Sequence, residues 1–236
     1  MKPVALLALN FLRQHRWPVL ILFAWIVLTA LGAADFGRDR VAVDDAVFYV
    51  QQLVVYVCVF TAFLAAGAIH NERKSRRILL VLSKAISRGE YLLAVIVGSF
   101  AMAAAYALVF GLCGVWLTAR AQLSSSGVWQ MAVLIVAGAL ISAAVAVFFS
   151  TFLSPYLATA LTLLLFAVPA AVHAQHHRGF VWLPGFPILV QVARFSFRPE
   201  WAVNWMAIVA AVLESIVFWG LAAAVFERRD IAVPVE

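Results

Sequence analysis

Residues 70–91 read HNERKSRRILLVLSKAISRGEY. This is the longest polar, basic stretch of the chain, and strongly apolar segments flank it on both sides. It holds six of the 17 lysines and arginines: Arg73, Lys74, Arg76, Arg77, Lys84 and Arg88. Within it lies a short apolar core, Ile78-Leu79-Leu80-Val81-Leu82. A helix needs about 20 apolar residues to cross a bilayer, so this core cannot cross one. The stretch reads as a loop joining two spans and presenting an apolar patch framed by positive charge.

The rest of the chain supports that reading. It is 66% hydrophobic and 12% charged, with a mean hydropathy of +1.02. Soluble domains carry about 25% charged residues. The composition predicts an all-α integral membrane protein, with residues 1–236 forming one transmembrane domain and no room for a separate soluble one. The net charge of +6 reports topology rather than nucleic acid, because basic residues of membrane proteins collect in particular loops.

Moving toward the N-terminus from the loop, spans are expected at about 46–69 and 18–34. Between them, residues 35–45 carry Asp35, Asp39, Asp44 and Asp45 against Arg38 and Arg40. In residues 2–16, Leu6, Leu9, Leu12 and Arg13 recur at helical spacing, which predicts an amphipathic helix in the membrane interface. Two other readings stay open: an unstructured start, and a cleavable signal peptide ending at Gly32-Ala33-Ala34.

Toward the C-terminus, spans are expected at about 92–118, 128–149, 155–173 and 201–226, which brings the total to six. Ser154 before Pro155 is a helix start, a hydroxyl cap followed by proline in the first turn. Small residues repeat every four positions at Ala103, Ala107 and Gly111, and again at Gly138, Ser142 and Ala146. That spacing lets helix backbones approach closely in lipid and places the 92–118 and 128–149 spans in the bundle interior. Residues 174–200 contain Pro184, Pro187 and Pro199, with Ile188, Leu189, Val192 and Phe195 at helical spacing. A helix this short cannot span, so it is expected to lie flat at the outer interface, or else to be an aromatic loop over the bundle.

Orientation follows from Lys and Arg. With the N-terminus inside, Lys2, Arg13, Arg16, the six of the basic loop, Arg228 and Arg229 lie inside, eleven of the 17. Arg38, Arg40, Arg120, Arg178, Arg194 and Arg198 lie outside. Excess positive charge marks the cytoplasmic side, so both termini are expected there. Trp116, Trp129, Trp182, Trp201 and Trp205 all fall at the expected outer boundary, where amphipathic rings collect.

Chemistry-bearing motifs are sparse. The chain has no G-x-x-x-x-G-K-[ST], H-E-x-x-H or G-x-S-x-G, and no catalytic residue is assigned. Cys58 and Cys113 fall inside apolar segments and read as small packing residues. His173, His176 and His177 cluster beside the outer end of the fifth span, without a cysteine or carboxylate near in sequence. They read as solvated rather than as a metal site. Glu214 is the one formally charged residue well inside a span, where an ionised carboxylate is costly. Three readings of it stay open: a watered path, a neutral carboxyl bonded to Ser, Thr or backbone, and a contact with a second subunit.

The basic loop and its setting resemble the membrane subunits of type 2 ABC exporters, the permease family that includes the NosY-like proteins. Members show a glutamate with basic residues after the second span, then a stretch similar to L-L-S-x-P-[VI]-S-R. The matching residues here are Glu72, Arg73, Leu82, Ser83, Ile86, Ser87 and Arg88. Ala85 stands where proline is usual, and Arg76-Arg77 stand where Gly-Thr is common. The six-span layout, the amphipathic start, the segment before the last span and the ending Glu227-Arg228-Arg229-Asp230 extend the resemblance over most of the chain. It implies that the 70–91 loop is a coupling helix docked in a groove of a separate ABC ATPase subunit. Ile78, Leu79 and Leu82 would be its anchors, with Glu72, Arg73, Ser83 and Arg88 as further contacts. It also implies a second permease copy or related chain, and ATP and Mg bound by the ATPase rather than by this chain. The expected location is a bacterial cytoplasmic membrane, and the expected function is export. A basic helix lying on anionic lipid explains the charge equally well, but not the Leu82–Arg88 match. Two other functions stay open: an ion-gradient-driven transporter using Glu214, and a non-transporting assembly factor.

Overall fold

In hydrocarbon no water satisfies backbone N–H and C=O groups, so a chain this apolar must satisfy them within helices or a closed barrel. It uses helices. The computed structural model describes residues 2–35, 43–74, 86–176, 183–198 and 200–228, and among these there is no strand. The helices are α1 (Lys2–Gln14), α2 (Arg16–Asp35), α3 (Val43–Lys74), α4 (Arg88–Ala121), α5 (Ser126–Ser150), α6 (Pro155–His176), α7 (Phe186–Ala193) and α8 (Trp205–Arg228).

Four of them, α3, α4, α5 and α8, are long and apolar enough to cross a membrane. The α1–α2 pair, bent by 66°, adds a fifth if it is counted as one span. The apolar stretch of α6 is shorter. The outward faces agree with a lipid surround: Leu20, Ile21 and Leu28 of α2 and Met206, Leu213 and Val217 of α8 are exposed. Apolar surface on that scale is costly in water and free of cost in hydrocarbon. The molecule thus fits a multi-pass membrane protein.

Local chemistry sets the helix ends. Asp44 and Asp45 occupy the first turn of α3, where negative charge favours the positive end of the helix dipole. Ser87 and Glu90 form a reciprocal capping box at the start of α4: the Ser87 N–H donates to Glu90 Oε2 at 2.9 Å, and the Glu90 N–H donates to Ser87 Oγ at 3.2 Å. Helix α6 begins at Pro155 as expected, and the Leu157 N–H donates to Ser154 Oγ at 3.5 Å.

Helix α5 is the central post. It packs against α3, α4, α6, α7 and α8, and Gly138, Ser142 and Ala146 are all buried. The expected close approaches are present. A Cβ on Gly111 would lie 2.5 Å from the Trp129 ring, and one on Gly114 would lie 2.5 Å from Val128. One on Gly138 would lie 3.1 Å from Cys58 Sγ. Both cysteines are free thiols.

Helix α1 forms over the expected residues. Its buried residues are Ala8 and Phe11, while Leu6 and Leu9 are exposed. It packs on α4 at Gly98, where a Cβ would lie 2.7 Å from the Phe11 ring. One expectation changes, that for residues 174–200. Residues 174–176 continue α6, and α7 does not lie flat over the bundle. It is inserted among α3, α5, α6 and α8. An eight-residue apolar helix suits an interface or an interior equally, and sequence periodicity does not distinguish them. The last helix also starts at Trp205 rather than 201, because residues 201–204 are non-helical.

Candidate functional site

Trp116, Trp129, Trp201 and Trp205 gather at one end of the bundle, called here the tryptophan end; α4 begins and α8 finishes at the other, the basic end. Each end carries one construction that bears on function.

At the basic end, the base of the 70–91 loop is built into the helices. Residues 70–74 are the last turn of α3 and residues 88–91 the first turn of α4. Arg88, expected as a docking contact, reaches the C-terminus of α8. Its Nη1 donates to the Phe226 carbonyl at 2.7 Å and to the Glu227 carbonyl at 3.2 Å. The guanidinium lies 5.7 Å from the centre of the Phe226 ring. A cation at a helix C-terminus satisfies orphan carbonyls and the negative end of the dipole together. One residue on, Trp219 Nε1 donates to the Gly89 carbonyl at 3.0 Å. The start of α4 is therefore stitched to the last turns of α8. Ser87 sits at the same junction as the cap of α4. Glu72 and Arg73 lie in the final turn of α3, with side chains outside the described residues. Ile78, Leu79, Leu82 and Ser83 also lie outside the described residues.

Toward the tryptophan end, Glu214 has a partner. Its Oε2 accepts the backbone N–H of Gly185 at 2.8 Å. Gly185 precedes α7 in the left-handed conformation, φ 71°, which a residue with a Cβ rarely adopts. A Cβ there would also lie 2.7 Å from the Phe166 ring. Glu214 thus sits at the positive N-terminal end of an inserted helix, the position at which a carboxylate is stabilised. Nine residues below Trp205, at 1.5 Å per residue, it lies about 14 Å inside α8. The opposite end of α7 returns to the tryptophan end and is tied there by amides. Gln51 Nε2 donates to the Val192 carbonyl at 3.1 Å and to the Ala193 carbonyl at 3.2 Å. Gln130 Oε1 accepts the Val203 N–H at 3.1 Å, and Gln191 Oε1 accepts the Asn204 N–H at 3.1 Å. Of the openings foreseen for Glu214, the structure contains the bond to backbone.

Sequence reasoning singled out Glu214 but not Gly185, Gln51, Gln130 or Trp219. One side of each of these bonds is a backbone group, which every residue carries, so no side-chain pattern announces the pairing.

His173 and His176 fall in the last turn of α6, with side chains outside the described residues, and His177 lies outside them altogether. Among the described residues no three His, Cys, Asp or Glu side chains are grouped to hold a metal.

The sequence matches no protein-family model, and no curated protein matches it significantly. The resemblance to type 2 ABC exporters is therefore one of sequence pattern, carried by the residues quoted above.

Proposed function

We propose that this chain is the permease subunit of an ATP-driven ABC exporter in a bacterial cytoplasmic membrane. In this reading α2, α3, α4, α5, α6 and α8 are six spans, and both termini are cytoplasmic. A second copy or related chain completes a twelve-helix pathway. A separate ATPase subunit binds ATP and Mg and docks on residues 70–91. Ile78, Leu79 and Leu82 enter its groove, while Glu72, Arg73 and Ser83 contact its rim. Arg88 holds the base of the loop.

The observation that carries the proposal is the stitching of the loop's base to α8. A force on the loop acts on α4 through its capped first turn, and on α8 through Arg88 and Trp219. Helix α8 in turn carries Glu214, which holds α7. Rigid helices joined by hydrogen bonds are a physical route by which a docking event at the basic end reaches the interior. A loop that merely rested on lipid headgroups would need no such attachment.

The experiment is ATP-dependent transport, or permease-stimulated ATP hydrolysis, by the full assembly carrying Leu79→Asp or Leu82→Asp. The expected outcome is loss of both association and stimulation with the permease still folded. Unchanged association and activity in both variants would overturn the proposal. The ion-driven alternative is less well supported, since Glu214 is engaged with a helix terminus. An assembly factor without transport leaves the attachment of the loop unused.

A further inference from the structure

Between α3, α5, α6 and α7 lies a cavity of about 450 Å³. That is within the range of roughly 300–1,000 Å³ typical of small-ligand pockets. Its walls include Val55 and Val59 of α3, Ile141 and Ser142 of α5, Leu163 of α6 and Ile188 of α7. The polar side chains among its lining are Ser142 and Cys58. A buried water needs two to four polar partners, and this lining offers too few. An empty space of this size forfeits dispersion contacts along every wall, the same loss that makes engineered core cavities destabilising. The cavity therefore calls for an apolar occupant.

Access identifies the source. The back wall, Ile141 and Ser142, is 1% and 2% exposed. Among the lining residues, Val55 of α3, 51% exposed, and Ala167 of α6 reach the surface, so the mouth lies between these two helices. It opens sideways, beside the exposed apolar residues Tyr56, Phe63, Leu164 and Val168 of the same two helices. In a membrane that surface meets hydrocarbon. The fourth wall is α7, whose position is set by the bond from Gly185 to Glu214.

We propose that this cavity holds one acyl chain of a membrane lipid, entering between α3 and α6. The chain replaces the contacts the walls would otherwise lack, and α7 closes over it. This inference holds whether or not the loop docks an ATPase.

The test uses the full chain in nanodiscs containing a phospholipid with a photoactivatable carbene precursor at the end of one acyl chain. Adducts are mapped by mass spectrometry. The expected result is adducts on Ile141 or Ser142, which a chain tail reaches only through the cavity. These adducts saturate as the labelled fraction of lipid rises, whereas those on the outward residues Leu213 and Val217 rise in proportion. Leu163→Trp at the mouth is expected to abolish the Ile141 and Ser142 adducts and leave the others. Adducts confined to outward faces would overturn the proposal, as would Ile141 and Ser142 adducts that never saturate. Disulfide-linked dimers of Val55→Cys under oxidation, absent from the parent and found in place of lipid adducts, would show that a second copy fills the mouth, and would overturn it too. The saturation series needs no variant, so it decides the matter even if Leu163→Trp fails to fold.

Discussion

Replacing Glu214 separates two properties of its side chain. Glu214→Gln keeps an oxygen that accepts the Gly185 N–H, so α7 is expected to stay in place and the thermal midpoint to stay near that of the parent. Glu214→Leu leaves that N–H unpaired away from water, a cost of about 1–3 kcal/mol. Faster hydrogen exchange across Phe186–Ala193 in the leucine variant alone is the expected result. At the basic end, Arg88→Met removes the charged donor to the Phe226 and Glu227 carbonyls. Hydrogen bonds to charged groups are worth about 1.5–3 kcal/mol, so fraying of the last turn of α8 should be visible by exchange, with Arg88→Lys in between. His15 gives a pH dependence. Its ring is buried at the α1–α2 bend, and Nδ1 donates to the Phe11 carbonyl at 2.9 Å. Burial lowers its pKa from the ordinary 6.5, partly opposed by that bond. The released state therefore takes up a proton before the packed one, and packing of α1 weakens as pH falls below about 6.5. Limited proteolysis of residues 2–14 at pH 8 and pH 5 should show it, and His15→Gln should remove the difference.

Helices meet where glycines allow it, and the structure separates glycines that matter from one that does not. A methyl on Gly114 would lie 2.5 Å from Val128, whereas one on Gly220 would meet nothing within 4 Å. Overpacking costs about 1–3 kcal/mol, so Gly114→Ala should lower the thermal midpoint. Gly220→Ala should leave it unchanged or raise it, since alanine is favoured over glycine by up to about 1 kcal/mol in a helix. Differential scanning of the two purified variants checks the contrast. The small-residue rows of α4 and α5 are readable in the sequence because close approach in lipid demands them. The Ser154-Pro155 start of α6 was readable because the cap is a side-chain signal. The insertion of α7 was not, because eight apolar residues with helical spacing carry no mark of depth. Arg88 stands out in the sequence through the motif it completes, while the Phe226 and Glu227 carbonyls it bonds carry no sequence signal.

At the scale of the molecule, several apolar helices around a central α5 make a membrane bundle, and composition alone pointed there. Which residues carry function was less legible. The Leu79 and Leu82 anchors proposed for docking are a matter of pattern and resemblance, and the structure adds only how their loop is fastened. In the proposed assembly, the loop docks at the basic end and is joined through α4 and α8 to a helix held by Glu214 beside an apolar cavity. That proposal stands on the separate ATPase. The direct measurement is mild-detergent purification of the tagged chain from its native membrane, identifying co-purifying proteins and assaying ATP hydrolysis. The account predicts that an ATP-hydrolysing subunit stays with the parent and with Glu214→Gln and is lost with Leu79→Asp. A stable, folded chain that brings down no such subunit, or one retained unchanged by Leu79→Asp, would contradict it.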